Sequence, residues 1–214
     1  PACFNRALAG WFLPLVLRLN LTPNQWTFVG LVLGLGAAAA AAAGTVDADW
    51  AAAGLFQAFY LTDVWDGEVA RARSLSSRWG GWFDVSVDLV VHLALMAGMT
   101  AGLVRAGAPS WVGGVGLVAA LGVALDFLVT LRAKWRGFGP AIYGDPSHAV
   151  IARSRSAVLR WFRLQWTNEN FSLIIAAVLV LRWKPAFLLA AAVGTHVFWV
   201  RYLWKGRGYS FAQA

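Results

Sequence analysis

The sequence predicts an all-α integral membrane protein: six transmembrane helices preceded by an amphipathic juxtamembrane helix. Three observations carry that reading: the apolar content, apolar runs of span length, and basic residues confined to the gaps between runs. Of the 214 residues, 59% are hydrophobic and 13 are tryptophan, more than a soluble domain of this size can spend while still presenting a polar surface. The formal charge is +8. The Lys and Arg residues behind it fall between the apolar runs, which is the pattern of membrane loops and argues against nucleic acid as a partner. Cys3 is the single cysteine, so no intrachain disulfide can form. Residues 2–20 lack the basic head and small-residue cleavage site of a secretory signal. A chain that opens on Pro1 is expected either to have lost its initiator Met or to be a piece of something longer.

A bilayer core of about 30 Å needs about 20 mostly apolar residues per helix. Before the first such run, Phe4, Leu8, Trp11, Phe12, Leu15 and Leu19 recur at helical spacing with Arg6 and Arg18 off the stripe. Residues 1–22 therefore read as a helix lying in the membrane interface. Thr22 and Pro23 then suit an N-cap and a first helical position. Spans follow at roughly 26–44, 50–66, 85–104, 110–131 and 185–204. A shorter run at 171–183 reaches span length only if its helix starts earlier, at Trp166 to Asn170. The membrane domain is thus expected over 23–207, with a short tail at 208–214. In the first span Gly30 and Gly34 precede seven alanines, a face that lets helix backbones approach within one subunit or, less readily, seam a homodimer. Tryptophans such as Trp11, Trp26, Trp79, Trp111 and Trp204 fall near span ends, as in an aromatic belt.

With the N-terminus in the cytoplasm, the cytoplasmic segments collect Arg71, Arg73, Arg78 and the basic run from Arg132 to Arg163, while the opposite side keeps only Arg105, Arg182 and Lys184. The positive-inside rule then places both termini in the cytoplasm.

The acidic residues are few and clustered. Of ten Asp and Glu, Asp63, Asp66, Asp84 and Asp88 lie at the cytoplasmic end of the second span and the start of the third. Spacings of three and four put each pair on one helix face. Two helices joined by a short turn could bring the pairs together, and four converging carboxylates would repel one another unless cations bound them. An all-oxygen set suits a hard ion, Mg²⁺ or Mn²⁺. Gly67, Ala70 and Gly80 lie on or near the same faces and leave room for a ligand close to the backbone, and Arg71 beside them could bind phosphate.

The stretch reads Asp63-x2-Asp66-Gly67-x2-Ala70-Arg71-x8-Gly80-x3-Asp84-x3-Asp88. It resembles, at every fixed position, the signature of the CDP-alcohol phosphotransferase family. The juxtamembrane helix, the Thr22-Pro23-Asn24 start of the first span and the count of six spans extend that resemblance over nearly the whole chain. The resemblance implies two divalent ions held by Asp63, Asp66, Asp84 and Asp88, gripping the pyrophosphate of a CDP-alcohol donor. It implies that Asp88 takes the proton of the acceptor's hydroxyl, that the alkoxide attacks the β-phosphorus, and that CMP leaves. Asp63, Asp66, Gly67, Ala70, Arg71 and Gly80 would form the donor site. The physical logic stands beside it: two metals neutralise a diphosphate and stabilise attacking and leaving oxygens, and a metal-coupled carboxylate stays ionised and can accept a proton.

Other polar residues leave more open. Arg201 is costly inside the last span and is by default functional or paired. With Lys134, Arg136, Arg153 and Arg155 it could form a pocket for a phosphorylated acceptor, although the loop residues could equally anchor anionic lipid headgroups. Asp126 in the fourth span either pairs with an arginine or touches the acceptor. His92, one turn after Asp88, and His196 read as hydrogen-bonded packing residues more than as site residues.

The expected function is transfer of a substituted phosphate from a CDP-alcohol to an acceptor alcohol in a bacterial or archaeal cytoplasmic membrane, in phospholipid biosynthesis. The basic loop and Arg201 favour a phosphorylated acceptor such as inositol phosphate or glycerol phosphate. The Asp66-Gly67-Glu68-Val69-Ala70-Arg71 wording also resembles relatives that join CDP-inositol to inositol phosphate, in which a cytidylyltransferase domain can precede the membrane domain. The rival of another class is a non-catalytic membrane binder or transporter. Neither inverted repeats nor broken mid-membrane helices are visible to favour it.

Overall fold

Every turn between the first four helices is written in its capping residues. A computed structural model describes residues 4–135 and 171–206. Seven helices are found there: α1 Phe4–Arg18, α2 Pro23–Ala43, α3 Val46–Ala72, α4 Arg78–Arg105, α5 Trp111–Trp135, α6 Phe171–Val180 and α7 Lys184–Gly206. Thr22 caps α2 through a reciprocal box with Gln25, whose side chain returns to the Thr22 amide at 2.8 Å, and Pro23 opens the helix. Gly44, at φ 77°, ends it in the left-handed conformation that only glycine adopts without strain. Thr45 and Ser77 cap α3 and α4 more simply, their hydroxyls accepting from the amides of Ala48 and Gly80.

α2 through α7 fall on the six expected spans in order. By length and composition, α2, α4 and residues 111–129 of α5 are long and apolar enough to cross a membrane. α3 and α7 have the length, at 27 and 23 residues, but carry more polar side chains. α6 has 10 described residues, and its proposed extension to Trp166 lies outside the described part. The chain is an integral membrane protein by these helices. α3 and α4 also run past the apolar stretches, to Ala72 and from Arg78. Hydropathy marks what crosses lipid, whereas the helix continues until a cap stops it.

The packing is centred on α2, which lies against both α3 and α4. Gly30 and Gly34 serve contacts within the subunit. A Cβ on Gly30 would lie 2.7 Å from Thr62 Oγ1 of α3, and one on Gly34 would collide with Val91 of α4. Farther along, the backbones of α2 and α4 touch: Gly98 leaves no room for a Cβ against the Ala38 carbonyl, nor does Gly102 against that of Ala41. α5 packs on α4 and α7, and α6 on α3.

α1 has two faces. Its apolar stripe, including Phe4, Trp11, Phe12, Leu15 and Leu19, points outward. The face beside it, Asn5, Ala9 and Val16, is buried, and Phe12 at the border meets Trp65 of α3 edge to face, with ring centroids 6.4 Å apart. Trp65 Nε1 of α3 donates to the Ala9 carbonyl at 3.0 Å, and Arg73 donates to the carbonyls of Leu17 and Leu21 at 2.7 and 3.0 Å, closing the C-terminal end of α1. Gln57 donates to Asn5 at 2.6 Å, and Asn5 donates to Ser172 of α6 at 2.9 Å. A single polar chain thus ties α1, α3 and α6.

At the far end, Lys184, the first residue of α7, pairs with Asp49 of α3 at 2.8 Å. Both side chains are almost wholly buried, at 2% and 1% exposed. Arg182 approaches the other Asp49 oxygen at 3.9 Å. Two of the three cations assigned to that membrane face therefore converge on one buried acid. The two described histidines, His92 and His196, sit in packed surroundings. His92 Nδ1 meets the Asp88 carbonyl at 2.7 Å and its ring sits among Phe56, Phe59, Phe127 and Phe171. His196 accepts from Trp199 Nε1 at 3.1 Å and reaches the Val118 carbonyl of α5 at 3.1 Å.

Two predictions follow from this packing. Gly98→Ala, which overpacks a backbone contact, should lower the thermal midpoint in detergent by the equivalent of about 1–3 kcal/mol, read by following unfolding of the purified protein. Asp49→Ala should cost more, about 3–5 kcal/mol, because it strands a buried ammonium. An Asp49→Leu/Lys184→Met double variant should recover most of that loss in the same assay.

Candidate active site

The first turns of α2, the last turns of α3 and the first turns of α4 enclose one cleft. Asp63 and Asp66 descend from α3 and Asp84 from α4, and one carboxylate oxygen from each lies within 4.8 Å of the other two. Asp88, one turn further along α4, lines the floor of the same cavity together with Thr27, Gly30, Phe59, Thr62 and Val87. The two acidic pairs, one from each helix, therefore meet as their spacing implied. What brings them together is α2, which holds α3 and α4 at glycine distance.

Above the acids the cleft widens to about 200 Å³. Gly67, Ala70 and Gly80 line it, as do Arg71, Asn24, Ser76 and Ser77. Gly80 is where extra bulk would tell: a Cβ there would stand 3.1 Å from Ser77 Oγ and 3.3 Å from Asn24 Oδ1. Arg71 is 62% exposed and pairs with Glu68 at 2.9 Å, so it flanks the cleft with its charge held by a neighbour one turn back.

Asp66 is the most enclosed of the three clustered acids, at 7% exposure, and Thr27 Oγ1 of α2 donates to its Oδ2 at 2.6 Å. Neither Thr27 nor Asn24 is legible in the sequence as a site residue, since each sits in the opening turns of an apolar span. Their one signal is position: they are the residues that the Thr22 cap and Pro23 bring to the mouth of the cleft.

The donor set is entirely carboxylate oxygen at spacings a small cation can bridge, which fits a hard divalent ion and does not fit a soft one. Other expected site residues are not brought into view. Lys134 lies in α5 and Arg201 in α7, but Arg136, Arg153 and Arg155 lie outside the described residues. Asp126 lies in α5 and does not line the cleft.

Residues 20–200 match the family described as CDP-alcohol phosphatidyltransferase. The chain belongs to that family. The acid cluster just described lies inside the matched stretch. The chain is also similar to the bifunctional IPC transferase and DIPP synthase of Aquifex aeolicus (strain VF5), at 28% identity over 197 residues. The match takes in 88% of this chain and 40% of that protein, so the chain spans about two-fifths of the length of the relative it matches.

The three-acid cluster predicts a metal-dependent gain in stability. Mn²⁺ at about 100 times its dissociation constant should stabilise the purified protein by about 2.7 kcal/mol, seen as a rise in thermal midpoint. Asp84→Asn should remove most of that rise at the same Mn²⁺ concentration.

Proposed function

We propose that this chain transfers a substituted phosphate from a CDP-alcohol to the hydroxyl of an acceptor alcohol, releasing CMP at the cytoplasmic face of the membrane. The observation that carries the reading is the convergence of Asp63, Asp66 and Asp84 within 4.8 Å, with Asp88 on the same cavity floor. Six spans, α2 through α7, would carry this domain over residues 23–207. The distribution of Lys and Arg favours both termini and the cleft on the cytoplasmic side.

In this reading Asp63, Asp66, Asp84 and Asp88 hold two divalent ions, Mg²⁺ or Mn²⁺. When bound, these ions supply charge neutralisation on the donor's diphosphate and on the leaving CMP oxygen. Gly67, Ala70 and Gly80 keep the cleft free of side-chain bulk so that the cytidine and pyrophosphate can approach the backbone. Arg71 turns from Glu68 to the phosphates when the donor is present. Asp88 removes the acceptor's hydroxyl proton; the oxygen forms the new bond to the β-phosphorus as the bond to the CMP oxygen breaks. Phe59 and Val87 line the floor beside the acids and limit the water that could compete as acceptor.

For the acceptor, the basic residues Lys134, Arg136, Arg153, Arg155 and Arg201 favour a phosphorylated alcohol such as inositol phosphate or glycerol phosphate. The likeness to the DIPP synthase favours inositol phosphate of the two. It also favours CDP-inositol over CDP-diacylglycerol as donor, which would make the product a soluble phosphodiester. Gly30 and Gly34 are spent inside the subunit, so a homodimer would use another face.

The test is CMP release by the detergent-purified chain with Mg²⁺ or Mn²⁺. CDP-inositol and CDP-diacylglycerol are each offered inositol phosphate, glycerol phosphate, serine and inositol. Acceptor-dependent release is expected, with Asp88→Asn reducing it by about 100-fold or more, the usual contribution of a general base. Metal-dependent nucleotide binding without CMP release from any pair would replace the transferase reading with that of a binding protein.

A further inference from the structure

The acid cluster has a contributor from outside the two helices that carry it. Thr27 is the fifth residue of α2, and its hydroxyl lies 2.6 Å from Asp66 Oδ2 and 3.1 Å from the Pro23 carbonyl. Both neighbours are acceptors, and a threonine hydroxyl has one proton to give. The shorter contact, to a group that carries charge when ionised, takes it. Asp66 is then held from two directions: Thr27 of α2 donates to Oδ2, and the Gly67 backbone of its own helix also bonds the carboxylate. The pair is largely shielded from solvent, with Thr27 at 5% and Asp66 at 7% exposure, at the inner wall of the cleft.

Two features keep Thr27 where it is. Behind it, the Thr22–Gln25 capping box and Pro23 fix the first turn of α2. Ahead of it, one turn on, the close approach of Gly30 to Thr62 sets how near α2 can come to α3. The hydroxyl is thus presented to Asp66 by a rigid helix start and not by a flexible loop.

Resting on the reading of the cluster as a metal site, we infer that Thr27 is a positioning residue. It holds Asp66 Oδ2 from the α2 side before any ion arrives, so α2 tunes cation affinity without supplying a ligand. Partners of this kind commonly change metal affinity by about 10–100-fold when removed.

The test is direct Mn²⁺ binding to the full detergent-purified chain without nucleotide, read from the electron paramagnetic resonance signal of free Mn²⁺. Thr27→Val keeps the shape and removes the hydroxyl; Thr27→Ser keeps the hydroxyl and removes the methyl. The expected result is a loss of Mn²⁺ affinity of about tenfold or more in Thr27→Val, with Thr27→Ser close to wild type. Wild-type affinity in Thr27→Val, or equal weakening in both variants, would overturn the inference and leave Thr27 a packing residue. If Thr27→Val does not fold, Thr27→Ala against Thr27→Ser poses the same question, since both lack the methyl and only alanine lacks the hydroxyl. Asp66→Asn separates the two levels of the argument. If wild type binds no Mn²⁺, or Asp66→Asn binds it equally well, the metal-site reading fails; if Asp66→Asn alone weakens binding, only the role of Thr27 does.

Discussion

Backbone-to-backbone approach of α2 to α3 and α4 is the constraint on which the rest depends. Lipid gives helices no hydrophobic reason to associate, so contact must come from packing and polar bonds. Here it comes from absent side chains: Gly30 and Gly34 on one helix, Gly98 and Gly102 on another, with the alanines of α2 between them. Bulk at any of these points would part α3 from α4 and spread the acids each presents to the shared cleft. The site is therefore a product of the packing around α2, although α2 contributes none of its carboxylates.

Much of this was legible. The Thr22 cap, the Pro23 start, the amphipathic first helix, the order of the helices and the pairing of Asp63 with Asp66 and Asp84 with Asp88 all follow from local rules. Such rules act over three or four residues, and a sequence displays them directly. The burial of Asn5 was not legible, because α1 carries apolar residues on its exposed stripe and also, as Leu13, Val16 and Leu17, on the side that meets protein, so hydropathy alone does not say which side is covered. Thr27 was hidden for a related reason: a hydroxyl in an apolar run usually bonds its own helix, and its distance to Pro23 shows that option lying alongside the bond to Asp66. The positive-inside count treated Arg182 and Lys184 as loop charges, whereas their convergence on Asp49 is tertiary information.

The same contrast runs through the site. Its acids could be placed from spacing because each pair rides one helix, and the cleft-lining glycines because they share those faces. The basic residues offered for the acceptor are spread over α5, the segment that follows it and α7, and no periodicity relates positions so far apart. A helix can be read along its axis, but a pocket assembled from several helices is specified by how they pack.

The ion pair between Asp49 and Lys184 joins residues 135 positions apart. During synthesis at about 5–20 residues per second, the acid of α3 leaves the ribosome roughly ten seconds before its partner exists. Until α7 arrives, an incomplete chain holds an unneutralised carboxylate near the start of a helix meant for the bilayer. The finished protein hides that charge, so a chain that stopped before Lys184 would leave the Asp49 carboxylate without the ammonium that neutralises it.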